Sequence, residues 1–493
     1  MKQLAILRDY FRANIWRYVI GIFCLIFVDS MQLVTPKLTG TVADLLQEGN
    51  LDSAVLLKYA AIIVGLAVLT AAGRYGWRMY VMGSARRLDY YLRNKLFIKL
   101  QTLSAGFFNK HKTGDLMAHS TNDIQAVRMA FGQGIMMITD AAFLSIMTIV
   151  IMSKTISWKL TAVALLPLPL LVFVSVFFGR QIHHRFRAVQ ESFSRLTDKT
   201  QENLAGIRVV KSFVQEKPEI RLFEEYNMHN VNMNMKLVRI WGLFFPLIQF
   251  ISALSYIAVI GYGGILATNS EITLGGFVSF LSYLGLLIWP IMAIGWVINI
   301  FQRGMASLER LNAIFAEIPD VADHENTLPV EHIDGSISIK NLTFAYPGAS
   351  VPALQDINIE LPQGKTLAII GRTGSGKTTL INLLLRMYNP PAGSVFVDGY
   401  DVNLLPLNTL REGIGCVPQD NFLFSATVRE NIGFAGTDYS DAEIENAARI
   451  AQVYDNIVDF PDGFETMVGE RGVTLSGGQK QRISIARAFI KNP

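Results

Sequence analysis

Charge is what this sequence has least of for its length: 17% of its 493 residues are Asp, Glu, Lys or Arg, against 51% hydrophobic and a mean hydropathy of +0.32. Soluble domains average about 25% charged residues, so an ordinary soluble enzyme is excluded and a large membrane portion is implied. The length is too great for one domain. Cysteine is nearly absent: Cys24 in an apolar run and Cys416 much further on give neither a metal spacing nor a disulfide framework. Histidine is missing altogether from residues 341–493. The net charge of +4 is small for this length, so its placement matters more than its size, and no nucleic-acid partner is expected. No small-residue cleavage site follows the first apolar stretch, which is of spanning length and preceded by Lys2, Arg8, Arg12 and Arg17. It reads as an anchor and not as a removable signal.

Long hydrophobic runs are what the sequence does have. A helix needs about 20 apolar residues to cross the hydrocarbon core. Six segments meet that requirement: Ile15 to Val34, Ala54 to Ala72, Ile135 to Met152, Leu160 to Phe178, Trp241 to Ala267 and Leu274 to Ile300. Lysine and arginine collect in the N-terminal arm, from Arg74 to Lys112, from Arg180 to Arg239, and around Arg303 and Arg310, while the alternate connections are short and poor in them. That asymmetry puts both chain ends and the two long polar connections on the cytoplasmic side. Apolar residues recur at helical spacing through both connections, so each is expected to be helix that runs past the bilayer and turns back.

From Glu317 to Gly335 the composition turns acidic and polar, with Pro319 and Pro329 as breakers. The expected organisation is a membrane domain over 1–316, a linker over 317–335 and a soluble α/β domain over 336–493. In that last part Gly371-Arg372-Thr373-Gly374-Ser375-Gly376-Lys377-Thr378 is a complete G-x-x-x-x-G-K-[ST] phosphate loop. The apolar run Thr366 to Ile370 before it reads as a strand, and Thr378 to Met387 after it as a helix. Glycines let backbone N–H groups turn inward, and the helix N-terminus adds partial positive charge; together they cradle phosphates. Lys377 is expected to reach the β- and γ-phosphates of ATP, the Thr378 hydroxyl to bind Mg²⁺, and Thr379 to lie at the nucleotide.

With Leu475-Ser476-Gly477-Gly478-Gln479 further along, the chain resembles a half-transporter of the ABC exporter superfamily over essentially its whole length. The fold this implies is an all-α domain of six transmembrane helices followed by an α/β P-loop ATPase domain. The resemblance assigns Tyr346, in Phe344-Ala345-Tyr346-Pro347-Gly348, to stacking on adenine, and Gln419, in Cys416-Val417-Pro418-Gln419-Asp420, to Mg²⁺ and to sensing the γ-phosphate. Asn421 to Ile432 and Gly469-Glu470-Arg471-Gly472 resemble exporter patterns. Leu475 to Gln479 resembles the ABC signature, followed by an amphipathic helix from Lys480 to Ile490; it implies that Ser476 and Gly478 contact the γ-phosphate of ATP held by a partner chain. ATP then joins two chains, and a single chain carries two half-sites.

The same resemblance calls for an apolar strand ending in an Asp that holds Mg²⁺ through water, then a Glu that polarises the attacking water, then a histidine. Nothing in 341–493 matches them, and Arg487 to Pro493 resembles the stretch just before that strand. The expectation is an ATPase-coupled exporter whose sequence, as it stands, binds ATP without hydrolysing it. Thr113-Gly114-Asp115-Leu116 through Asn122-Asp123 and Glu202-Asn203-Leu204 through Phe213 resemble the coupling helices, the second implied to enter the partner's ATPase domain.

Asp29 and Asp140 are ionisable groups inside apolar segments, and mark a pathway, a structural polar pair or an extramembrane helix end. Phe244, Phe245, Phe250, Tyr256, Phe280, Tyr283, Trp289 and Trp296 crowd the last two segments, where they line a cavity for flat or cationic lipophilic cargo or face lipid and neighbouring helices. By analogy the cargo is a hydrophobic drug or a lipid-like compound, and the neighbourhood Thr121-Asn122-Asp123 resembles subgroups in which two unlike halves pair, favouring a heterodimer. The alternatives are an ATP-gated channel and a hydrolysis-impaired half serving an active partner.

Overall fold

The computed structural model describes residues 2–49, 52–436, 438–469 and 475–493. Gly469-Glu470-Arg471-Gly472 falls mostly outside them. The chain divides into two compact units, the first made of Met1–Ile98 and Leu116–Ala316, the second of Lys99–Asp115 and Glu317–Pro493.

Six long helices contain the six apolar segments: α1 (Arg8–Gln47), α2 (Ser53–Thr102), α4 (Thr113–Ile156), α5 (Trp158–Ala205), α7 (Glu216–Thr268) and α8 (Leu274–Ala316). Two short helices, α3 (Ala105–Lys110) and α6 (Ile207–Ser212), sit in the long polar connections. At 1.5 Å per residue the 53 residues of α7 extend roughly 80 Å, well beyond a hydrocarbon core of about 30 Å. These helices are apolar because a bilayer covers them: every described residue of the segment Ser53–Trp77 keeps some exposure, Leu57, Val64 and Val68 among them.

Packing inside the first unit follows small residues and hydroxyls that reach backbone carbonyls of the neighbouring helix. Around Pro36 of α1 two hydroxyls of α8 add second hydrogen bonds to backbone carbonyls: Ser279 Oγ donates to Pro36 O at 2.9 Å and Tyr283 Oη to Leu33 O at 2.8 Å. Gly40 and Gly275 bring the two backbones so close that a Cβ on either would collide with the other helix. Asp44 completes this contact by accepting from Gly275 N at 2.6 Å and Thr273 Oγ1 at 3.1 Å. On α4 the π-helical turn His119–Asp123 presents Asp123 to two partners. His119 Nδ1 lies 2.6 Å from Asp123 Oδ2, and Arg310 of α8 grips both carboxylate oxygens. Of the aromatics read as cavity-lining, Phe280 and Tyr283 are core, whereas Phe250, Trp289 and Trp296 are exposed.

In the second unit β1 (Ile337–Phe344) is central, antiparallel to β2 (Leu354–Leu361) on one side and β3 (Val395–Val397) on the other, with β4 (Tyr400–Asp401) at the edge. Six helices accompany the sheet: α9 (Lys377–Leu384), α10 (Leu407–Glu412), α11 (Val428–Ile432), α12 (Asp441–Ile450), α13 (Tyr454–Val458) and α14 (Gly477–Phe489). The strand expected over Thr366–Ile370 does not form; Ile370 is 95% exposed, and none of the described residues pairs with it. A run of this kind becomes a strand only when neighbours satisfy both of its backbone edges.

The acidic stretch 317–335 lies on this unit as a strap. Asn389 Nδ2 donates to Asp320 O at 2.7 Å, the buried Arg386 to Ala322 O at 3.3 Å, and Leu328 N to Leu404 O at 2.8 Å. Its end is fixed by Asp398, whose carboxylate accepts from Asp334 N, Gly335 N and Ser336 N at 2.6 to 3.1 Å.

Candidate functional site

The phosphate loop starts after an irregular segment and ends on α9, whose N-cap Gly376 has φ +89°, with Gly374 at +84°. L side chains avoid that region. A Cβ at Gly376 would also press on Ala353 O and Leu354, so glycine there satisfies both backbone angle and space. Lys377 folds back over the loop and donates to Gly371 O and Arg372 O, both at 2.8 Å, with Ser375 Oγ at 3.4 Å. The ammonium is thereby held at the mouth of the loop, where a phosphate would compete for it. Arg372, Thr373 and Ser375 are exposed. Thr378 is exposed as well, and its hydroxyl is open for a metal ion.

Thr379 is buried and turned the other way, accepting from Tyr346 Oη at 3.0 Å. The Tyr346 ring meets Phe344 and Tyr388 edge to face, centroids 5.2 and 5.0 Å apart. Sequence reading placed Tyr346 and Thr379 separately at the nucleotide; the structure ties them to each other, so the hydroxyl fixes the ring on the helix that follows the phosphate loop. Gln419 lies exposed in the irregular segment between α10 and α11.

The signature is also a helix start. Ser476 is the N-cap of α14: its Oγ accepts from Gln479 N at 3.3 Å while Gln479 Oε1 accepts from Ser476 N at 2.8 Å, a reciprocal capping box. The helix starts at Gly477, earlier than the expected Lys480, so both glycines lie in its first turn. A hydroxyl that accepts still has its proton to donate. Gly477 and Gly478 are exposed and have open space where a Cβ would stand, so the first turn of α14 is uncovered. Leu475, Ile483 and Ala486 anchor this helix in a core with Val428, Ile432 and Ile457. The phosphate-loop helix roots Leu380 and Leu383 in a different core, with Leu342, Val395 and Val402. Each motif stands on its own hydrophobic base.

The first coupling stretch, Thr113–Asp123, is the start of the long helix α4; its first residues, to Asp115, fall in the ATPase unit together with the short helix α3, Ala105–Lys110. Within that unit Asn109 Nδ2 donates to Tyr388 Oη at 2.5 Å, and Gly106 passes the same ring closely. Asn109 and Tyr388 carry no motif of their own, and only the Ser104 cap position before a short apolar turn signalled a helix there. The second stretch forms α6, and beside it Phe213 and Val214 are 71% and 77% exposed.

Six membrane-length helices joined to a nucleotide-loop unit define a membrane protein powered by nucleotide. The sequence profile described as "ABC transporter transmembrane region" matches residues 18–291, and the one described as "ABC transporter" matches residues 354–493. The chain is 41% identical to the "Probable multidrug resistance ABC transporter ATP-binding/permease protein YheI" of Bacillus subtilis (strain 168), covering 98% of this chain and 83% of that protein. It is 38% identical to the "Multidrug resistance-like ATP-binding protein MdlA" of Escherichia coli (strain K12), over 100% of this chain and 83% of the other. An "ATP-dependent lipid A-core flippase" of Syntrophus aciditrophicus (strain SB) is 33% identical over 97% of this chain and 78% of its own length. The chain belongs to the ABC transporter family, as a half-transporter with one membrane region and one ATP-binding region. It is a multi-pass membrane protein with a cytoplasmic ATPase unit, and its family couples ATP hydrolysis to transport.

Proposed function

We propose that this chain is one subunit of a dimeric exporter of hydrophobic drugs or lipid-like compounds, with a membrane domain over 1–316, a strap over 317–335 and a nucleotide-binding domain over 336–493. ATP sits on Gly371 to Thr379 of one chain, with adenine against Tyr346 and Mg²⁺ on Thr378 and Gln419. The other chain closes over it with Leu475 to Gln479, where Ser476 and Gly478 take the γ-phosphate. Closure swings the membrane helices outward and hydrolysis resets them.

The observation that carries this reading is the uncovered first turn of α14, with open space in front and a hydrophobic base separate from that of the phosphate loop, which suits it to take an anion from outside the chain. Exposed Phe213 and Val214 at the tip beside α6 supply an apolar surface for the partner's ATPase unit. The relatives' printed names, multidrug resistance and lipid A-core flippase, support a hydrophobic cargo. The partner is favoured to be an unlike half, on the Thr121-Asn122-Asp123 neighbourhood. Inverted vesicles containing the full-length dimer test the reading: ATP-dependent uphill accumulation of a lipophilic dye, lost in Lys377→Ala, is expected. A current that only follows the electrochemical gradient would replace the exporter by a gated channel.

A further inference from the structure

Asp29 lies on α1 within the first apolar segment, completely buried, and neither carboxyl oxygen has a hydrogen-bond partner or measurable solvent contact. The group that acts on it from α4 is another acid, the partly exposed Asp140; from α2 the charge acting on it is Arg74. From α8, one turn along, the Tyr283 hydroxyl gives its proton to Leu33 O and so has none to donate to Asp29. Two turns beyond Asp140 on α4, Thr148 is also fully buried with an unpartnered hydroxyl.

A lone buried charge is expensive, and opposed carboxylates in a medium of low dielectric do not both keep a negative charge without a cation between them. Ionisable groups held inside a membrane mark ion pathways and proton relays. Because both Asp29 oxygens are sealed from a water-sized probe, a hydrated metal or an organic ammonium does not reach them in this arrangement. A proton does. We propose that Asp29 and Asp140 together bind one proton, taken up and released as α1 and α4 shift, so that the cycle of the membrane unit moves protons as well as cargo. The bound proton forms an O–H on one carboxyl that is donated to the other; once the shift of α1 and α4 separates the two groups and opens them to water, it passes to water and leaves both as hydrated carboxylates, with no other bond made or broken. The inference rests on the transport reading above.

The test uses the full-length protein in weakly buffered proteoliposomes containing a pH indicator, with a non-hydrolysable ATP analogue and Mg²⁺ added to close the nucleotide sites. The expected signal is a change of about one proton per chain, one for the shared site, accompanied by a change in the carboxylic-acid carbonyl band in infrared difference spectra. Asp29→Asn and Asp140→Asn should each remove both signals while binding the analogue and melting as the unaltered protein does, and Asp29→Glu should restore them. No proton exchange in the unaltered protein, or exchange that persists in both Asn variants, overturns the proposal. ATP-driven dye accumulation without proton exchange removes this inference and leaves the exporter reading intact. Proton exchange without dye accumulation removes the exporter reading and keeps the proton site.

Discussion

The side-chain amide of Asn109 donates to the hydroxyl of Tyr388 at 2.5 Å, and the Tyr388 ring meets Tyr346 at 5.0 Å. A helix in a cytoplasmic connection between membrane spans is thereby linked, through two tyrosines, to Thr379 behind the phosphate loop. Tyr388→Phe keeps the ring and deletes the hydrogen bond. Its net value is about 1 kcal/mol, so ATP affinity should change less than tenfold while stimulation of ATP turnover by cargo falls. Paired binding and turnover assays on reconstituted full-length protein check this; unchanged stimulation would remove the link.

Lys377 is held by Gly371 O and Arg372 O. Exchanging those carbonyls for phosphate oxygens replaces neutral acceptors, worth about 0.5 to 1.5 kcal/mol per bond, with charged ones worth about 1.5 to 3 kcal/mol. Lys377→Ala should therefore weaken ATP binding by roughly tenfold to a hundredfold. Titration with a fluorescent ATP analogue measures it.

Asp123 is nearly buried between His119 and Arg310. Asp123→Ala leaves Arg310 without its carboxylate and unties α4 from α8. Arg310 is half exposed, so the loss should fall below the roughly 3 to 5 kcal/mol of a fully buried pair, at about 1 to 3 kcal/mol. A lower melting temperature in detergent reports it, and the double variant Asp123→Ala with Arg310→Ala should lose little more.

Asp398 ties down the residues that enter β1. Burial pushes its carboxyl upward, but hydrogen bonds from Gly335, Ser336 and Asp334 outweigh it and hold the group below its ordinary range. The native state thus binds the proton less readily than the unfolded chain. The stabilisation is complete above the ordinary carboxylate range and lost as pH falls through the lower native value. Asp398→Asn should lower the melting temperature at neutral pH, and the gap to the unaltered protein should close in strong acid. A gap that stays constant with pH would contradict it.

Much of this was legible in the sequence because the signals are long or chemically narrow. Segments of about 20 apolar residues admit one reading, and Gly374 and Gly376 stand where the loop needs left-handed backbone. What stayed hidden depends on partners distant in sequence. Thr366–Ile370 is strand-like in composition, yet strand is a property of neighbours, and no described segment pairs with it. Ala105–Lys110 is too short for periodicity to reveal, and its role comes from Tyr388, 279 residues after Asn109. The polar stretch 317–335 looks like a loose connection because backbone bonds to Arg386, Asn389 and Leu404 leave no trace in composition.

The central claim is that each nucleotide is closed by two chains, and complementation between two defective full-length chains tests it. One carries Lys377→Ala and an intact signature; the other carries Ser476→Arg and an intact phosphate loop. Where two copies of this chain pair, each variant alone should be inactive and co-reconstitution should restore ATP turnover, because the mixed dimer has one site with Lys377 from one chain and Ser476 from the other; where an unlike half is the partner, the same two changes are divided between the two halves. If mixing restores nothing while the unaltered protein is active, the two motifs act within a single chain and the account is wrong.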